Sequence, residues 1–370
     1  MRARELGIRI GELASGSEDA ITDVDGVRVG HSTIIRGEGP LVVGEGPVRT
    51  GVTVVCPRAG PARDEPVFAG AHTLNGNGEM TGLEWIREAG TLSSPVAITN
   101  THSVGVVHDA LVKAEMEART GEEAYWTLPV AAETYDGTLN DINGQHVTAD
   151  HVHEALASAS VGPVEEGSVG GGTGMICHEF KGGIGTASRR VFETEGGWTV
   201  GALVQANYGR RSMLRVAGVP VGRILDTGRI PSPYESEQTP PAGTGSIIVV
   251  LATDAPLLPI QCDRLAKRAA VGLARMGGGL DDGSGDIFLA FATGNRGLPP
   301  DGIPDPPTTV PLQMVTNDYM TPLFYAAAEA TEAAILNALL AADDMTGRDG
   351  ITAYGLTPEM LLGALEEERR

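Results

Sequence analysis

The sequence predicts an α/β protein in which two β-sheets are sandwiched between helices. Three observations carry that expectation. Short β-branched or aromatic runs such as Ser246-Ile-Ile-Val-Val-Leu-Ala252 and Ile287-Phe-Leu-Ala-Phe-Ala292 have the character of strands buried on both faces. Strand-like and helix-like stretches follow one another without the regular βαβ alternation of a single parallel sheet. The 41% of hydrophobic residues, with 51 glycines that keep no period, fit a tightly turned enzyme rather than a disordered chain. At 370 residues the chain can bury a large core, as one big domain or two ordinary ones.

Residues 1–20 read as a leader segment and loop. Ile21–Val24 and Val27–Gly30 read as a strand pair turned at Asp25-Gly26, and Val42–Val55 as a further β-rich stretch. Phe68–Asn77 is rich in Gly and Asn and precedes a short helix over Thr81–Glu88. A glycine-rich loop before a helix can cradle a phosphate. Neither GxGxxG nor GxxxxGKS/T is present, however, and Asn75–Gly78 also reads as the wall of a substrate pocket.

Pro95–Thr101 reads as a strand, and Val104–Glu117 as a helix with Val106, Val107, Ala110, Leu111 and Ala114 on one face. Val130–Gly137 reads as a strand entering a turn, His151–Ala159 as a helix and Val169–Gly174 as a flexible glycine run. Lys181–Arg190 gives a turn and strand, and Trp198–Ala206 a strand entering Asn207-Tyr208-Gly209. Prolines and glycines then mark Pro231–Gly245 as a loop. Pro259–Met276 reads as a buried helix closed by Gly277, Pro299–Pro311 as a loop, and Met320–Ala342 as a helix apolar on nearly every side.

Composition excludes several functions. The formal net charge of −21 repels phosphate backbones, so nucleic-acid binding is not expected. The same field favours cationic substrates, including peptides with a free α-ammonium, although solubility alone also accounts for it. Cys56, Cys177 and Cys262 are far apart and lack CxxC spacing, which fits reduced, buried thiols rather than disulfides or a zinc site. His151 and His153 point to different sides of their helix, so they make no metal pair. Neither metal nor cofactor is expected. The first residues lack the apolar core of a signal peptide, and no apolar run approaches the roughly 18 residues of a membrane helix. A soluble cytoplasmic protein with no membrane partner is the expectation.

The stretch that organises the rest is Gly245-Ser246, at the seam between the loop and the Ile247–Ala252 run. Glycine gives the backbone angles denied to other residues and leaves its carbonyl open to attack. Ser246 either merely opens a strand, or it attacks the preceding carbonyl, splits the chain and becomes a new N-terminus. The freed amine, of pKa about 7.7–8, would then be the base for its own hydroxyl.

The block Gly245-Ser246-Ile-Ile-Val-Val-Leu-Ala-Thr-Asp254-Ala-Pro-Leu-Leu-Pro259 resembles the cleavage site of the self-processing DmpA/BapA-type serine aminopeptidases. Ile21–His31, Glu133-Thr-Tyr-Asp-Gly137, Gln205-Ala-Asn-Tyr-Gly209, Gly283-Ser-Gly-Asp286 and Pro322-Leu-Phe324 resemble that family's other blocks, in the same order. Ser284 and Asp286 lie two apart on a strand, so both can face one site, although such a pair is commonly turn chemistry. His31, just past a strand, reads as structural.

The resemblance implies a four-layer α-β-β-α sandwich with two mixed sheets, as one domain 1–370 cut into 1–245 and 246–370. It implies Ser246 as nucleophile, Ser284 and Asp286 as its proton relay, and Asn207 as oxyanion donor, joined by a backbone N–H near Tyr135. Glu133 would bind the substrate's amine, and the Tyr135 ring would line the pocket. Some members carry Glu where this chain has Asp286. The implied substrates are short peptides and amino-acid amides or esters, with L-, D- or β-amino N-terminal residues, and the implied assembly is a homo-oligomer, often a tetramer. Two alternatives stand beside it: an acyltransferase of the ornithine acetyltransferase type, which puts Thr at the cut, and a non-cleaving ligand-binding homologue.

Overall fold

The computed structural model describes residues 1–119, 126–234, 245–300, 303 and 305–368; Pro240, Pro241 and Gly243 of the punctuated loop lie outside them. In chain order the strands are β1 (Arg28–Arg36), β2 (Val48–Cys56), β3 (Val67–Gly76), β4 (Thr91–Leu92), β5 (Val96–Asn100) and β6 (Val130–Thr134). A short hairpin of β7 (Ile176–Cys177) and β8 (Phe180–Lys181) follows, then β9 (Gly183–Arg190), β10 (Thr199–Asn207), β11 (Gly245–Thr253) and β12 (Ser284–Ala292). The helices are α1 (Leu83–Ala89), α2 (Val104–Glu117), α3 (Ala149–Ser158), α4 (Val221–Ile224), α5 (Pro259–Ala266), α6 (Ala269–Arg275), α7 (Met320–Leu340) and α8 (Pro358–Glu367).

One sheet has the order β1-β2-β5-β6 and the other β4-β3-β12-β11-β10-β9. Both are mixed, since β5/β6 and β11/β12 are parallel while β1/β2 and β10/β11 are antiparallel. The apolar pattern of β11 explains the layering. Ile248, Val250 and Ala252 pack between the sheets with Ile98 and Val130 of the other sheet. Ile247, Val249 and Leu251 point the opposite way, among Leu265, Leu273 and Leu336 of the helices. On the far side, Val52, Val54 and Ala97 lie under Val107, Ala110 and Val152 of α2 and α3. The result is an α-β-β-α sandwich, and β11 is apolar throughout Ile247–Ala252 because neither of its faces meets water.

Contrary to the expectation that no apolar run approaches a membrane helix, α7 with its preceding turn is long and apolar enough to cross one, yet 89% of its most apolar window is buried inside the protein. It is a core helix, pressed so closely on β9 that a Cβ at Gly185 would lie 2.0 Å from the Ala334 carbonyl.

Several sequence expectations change. Ile21–Asp23 is a 3-10 turn and β1 begins only at Arg28, so Asp25-Gly26 closes no hairpin. Instead Ile21, Val24 and Val27 drop into the layer between the sheets. Phe68–Gly76 belongs to strand β3 rather than to a loop. Its Gly70 serves packing, because a Cβ there would lie 2.2 Å from the Asp263 nitrogen of α5. Gly170–Gly172 is a buried turn, not a flexible run: a Cβ at Gly171 would lie 2.2 Å from Gln205 Oε1. The helix expected over Pro259–Met276 is two, α5 and α6, broken at Lys267–Arg268. The first residues are docked, with Arg2 paired to Glu166 at 2.7 Å and Glu329 accepting from the Glu12 and Leu13 N–H groups.

Candidate active site

The parallel strands β11 and β12 begin at one end of the sandwich, where β3, β5, β6 and β10 finish. Their ends enclose a cavity of about 320 Å³ lined by Asn77, Thr101, Glu133, Tyr135, Asn207 and Ser246, with Tyr234 and Thr138 completing one wall. Register places the parts. Asn207 pairs directly with Ser246 across β10/β11, and Ser246 with Gly285 across β11/β12. Ser246 shares its strand face with Ile248, and its Oγ accepts from the Gly285 N–H at 3.2 Å. Gly245 has φ +155°, and a Cβ there would lie 2.0 Å from the Asn207 carbonyl, so only glycine fits before this serine.

The Asn207 amide is held at both ends. Its Oδ1 accepts from the Ile176 N–H of β7 and its Nδ2 donates to the Tyr135 carbonyl, each at 2.8 Å. An amide nitrogen carries two hydrogens, so Nδ2 keeps a second donor for a ligand. Glu133, on the other sheet, is 2% exposed. Its Oε1 accepts from the Glu79 N–H at 3.0 Å and its Oε2 from the Thr101 hydroxyl. Burial raises the pKa of Glu133, and those two donors oppose the rise. An ammonium entering the cavity would favour the ionised form.

Ser284 and Asp286 are together but do not line the cavity. Ser284 Oγ donates to Asp286 Oδ1 at 2.6 Å. They alternate with the inter-sheet residue Ile287 and share the face of Phe288, opposite to that of Ser246. Ser284 is in register with Gly245, and Asp286 with Ile247, whose N–H it accepts. The pair therefore flanks the backbone on either side of residue 246. Burial pushes Asp286 up, against hydrogen bonds from Ser284, Asn75 and Ile247.

The sequence did not point to several of the contacts that hold these groups. Asn75 donates to Asp286 across 211 residues of chain, and Thr101, Glu79 and Ile176 act on Glu133 and Asn207 through atoms that no motif marks. His31 sits on β1 bonded to Thr53 Oγ1 at 3.0 Å, its pKa lowered to about 4 by burial, outside the lining of the cavity.

The fold recurs in proteins of known structure. A beta-aminopeptidase from Burkholderia sp. superposes with a TM-score of 0.92 at 61% identity, over 99% of each chain. The L-aminopeptidase D-Ala-esterase/amidase of Ochrobactrum anthropi, described as a prototype serine aminopeptidase and a variant of the Ntn-hydrolase fold, superposes with a TM-score of 0.90. It is 44% identical, over 100% of this chain and 99% of that one. The class is thereby defined as an aminopeptidase with the N-terminal-nucleophile hydrolase fold. Beta-peptidyl aminopeptidase BapA of Sphingosinicella microcystinivorans is 50% identical over 377 residues, spanning 100% of this chain and 93% of that protein. The chain belongs to Peptidase family S58, whose model matches residues 19–353.

Proposed function

We propose that the Gly245–Ser246 bond is broken by the protein itself and that Ser246 then serves as the N-terminal nucleophile. Ser246 Oγ attacks the Gly245 carbonyl, the C–N bond breaks, and the nitrogen takes the proton. Water hydrolyses the resulting ester to leave chains 1–245 and 246–370. In turnover the free Ser246 amine takes the hydroxyl proton and Oγ attacks the first carbonyl of the substrate. Asn207 Nδ2, with a backbone donor near Tyr135, holds the oxyanion. Glu133 holds the substrate's ammonium, which restricts cleavage to the first residue. Ser284 and Asp286, beside the backbone of residue 246, orient the amine and move its proton. The amine leaving group departs with that proton, and water releases the acyl group.

The observation that carries this reading is the direct pairing of Asn207 with Ser246 at a cavity that Glu133 enters from the other sheet. The names of the relatives favour β-amino N-terminal residues as substrates, with L- and D-residues and their amides or esters beside them. The assembly is a homo-oligomer, a tetramer of cleaved heterodimers, working in the cytoplasm without nucleic acid or membrane. The acyltransferase and non-cleaving alternatives are not favoured: the cut carries Ser rather than Thr, and the relatives are aminopeptidases.

On a denaturing gel, purified wild type is expected to run as two fragments and Ser246→Ala as one. N-terminal sequencing of the smaller fragment should begin at Ser246. β-Alanyl-p-nitroanilide should be hydrolysed by wild type and not by Ser246→Ala, and its N-acetylated form by neither. An intact wild-type band after long storage, or a fragment starting elsewhere, removes Ser246 as nucleophile.

A further inference from the structure

The end of β3 does more than wall the cavity. At Asp286 the β3/β12 register slips: Asp286 pairs with Asn75 but Ile287 with Thr73, so Leu74 bulges out. A bulge re-aims the side chain beside it. Here Asn75 Nδ2 donates to Asp286 Oδ2 at 2.7 Å. Two residues on, Asn77 Nδ2 donates to the Gly283 carbonyl, next to Ser284, at 2.8 Å. The Asn77 carbonyl also presses on Gly285, where a Cβ would lie 2.4 Å away. The Glu79 N–H then reaches Glu133 Oε1 at 3.0 Å. Residues 75–79 thus form a strap from Asp286 on one sheet to Glu133 on the other.

We propose that Asn75, at the start of this strap, is a positioning residue for Asp286, the acid beside the nucleophile. This rests on the reading of Ser246, Glu133 and Asp286 given above. Asp286 faces Ser284 on its own strand, the Ile247 N–H of β11, Asn75 of β3, the charge of Asp281 before β12 and the Tyr208 phenol beyond β10. Burial and Asp281 raise its pKa, and Asn75 is one of the donors that oppose them. Loss of that donor leaves less of the ionised acid at mildly acidic pH.

The test compares wild type, Asn75→Ala, Asn75→Asp and Asn77→Ser on β-alanyl-p-nitroanilide from about pH 5 to about pH 9, with rates referred to cut protein. Asn75→Ala is expected to lower kcat on the order of ten-fold at the acidic end and to move the acid limb of kcat upward, with KM within about two-fold. Asn75→Asp, which sets one carboxylate against another, should move it further. Asn77→Ser, which loosens the strap at the cavity wall without a bond to Asp286, is free to change rate or KM but should leave the acid limb in place. An Asn75→Ala limb that coincides with wild type, or a change confined to KM, overturns the proposal, as does an equal shift in Asn77→Ser. Wild type that is neither cut nor active removes the reading of Ser246 and this inference with it; active wild type with an indifferent Asn75 removes this inference alone.

Discussion

Glu133 is held before any substrate arrives. The Thr101 hydroxyl and the Glu79 N–H occupy one carboxylate oxygen each and work against the burial that raises its pKa. Thr101→Val keeps the shape of the side chain and removes one donor. The carboxyl then ionises at higher pH, and the pocket binds an ammonium less well below that point. The expected outcome is a KM for β-alanyl-p-nitroanilide raised on the order of ten-fold at mildly acidic pH, with kcat little changed. The split is the reverse of that for Asn75, because the two residues serve opposite ends of the strap. An unaltered KM across the pH range would remove Thr101 from amine binding and count against Glu133 as well. Ser246, Asn207 and Glu133 were singled out in the sequence by blocks that resemble the family's, each at the start or end of a strand. Thr101 and Asn75 were not, since each acts across a gap between strands that only the folded register closes.

Among the elements, legibility followed how the apolar residues are exposed. β11 and β12 are apolar without alternation, and both faces are in fact covered, so their strand character could be read directly. The same holds for α7. β3 was hidden in part because its Gly70 answers to α5 lying on it, a demand set by tertiary packing that local propensity does not record. The turn Gly170–Gly172 was hidden for the same reason. At this scale the sandwich rests on the layer between the sheets, where Ile248 of β11 is fully buried. Ile248→Ala, in the uncut Ser246→Ala background so that a single chain unfolds, is expected to cost about 2–5 kcal/mol. Urea denaturation would read this as a lower midpoint at unchanged slope. A loss below about 1 kcal/mol would mean that the two sheets do not depend on β11 for their contact.

For the molecule as a whole, two fully buried ionisable groups make stability depend on pH in opposite windows. Asp136 follows Tyr135 in the turn after β6; Asn140 Nδ2 donates to it at 2.9 Å, yet burial raises its pKa to about 7. Lys181 of β8 donates to the carbonyls of Met175 and Gly182 at 3.0 and 2.8 Å, and burial lowers its pKa to about 7. A raised carboxyl gives stability that is complete below its unfolded pKa of 3.8 and lost as pH rises to about 7. A depressed lysine gives stability that is complete above 10.5 and lost as pH falls to about 7. His31 and His178, both lowered to about 4 by burial, oppose Asp136 on the acid side, since their contribution is lost as pH falls from 6.5. The wild-type curve mixes these slopes, so the clean measurement is a difference between variants. In the Ser246→Ala background, Asp136→Asn should gain stability relative to its parent as pH rises from about 4 to about 7. Lys181→Met should lose ground relative to its parent from about 7 to about 10.5, whatever constant offset the missing contacts add. Urea midpoints across pH give both difference curves. A flat curve for either variant would mean that its group titrates as it does in the unfolded chain, and the pH dependence would then lie with the histidines and the surface charge.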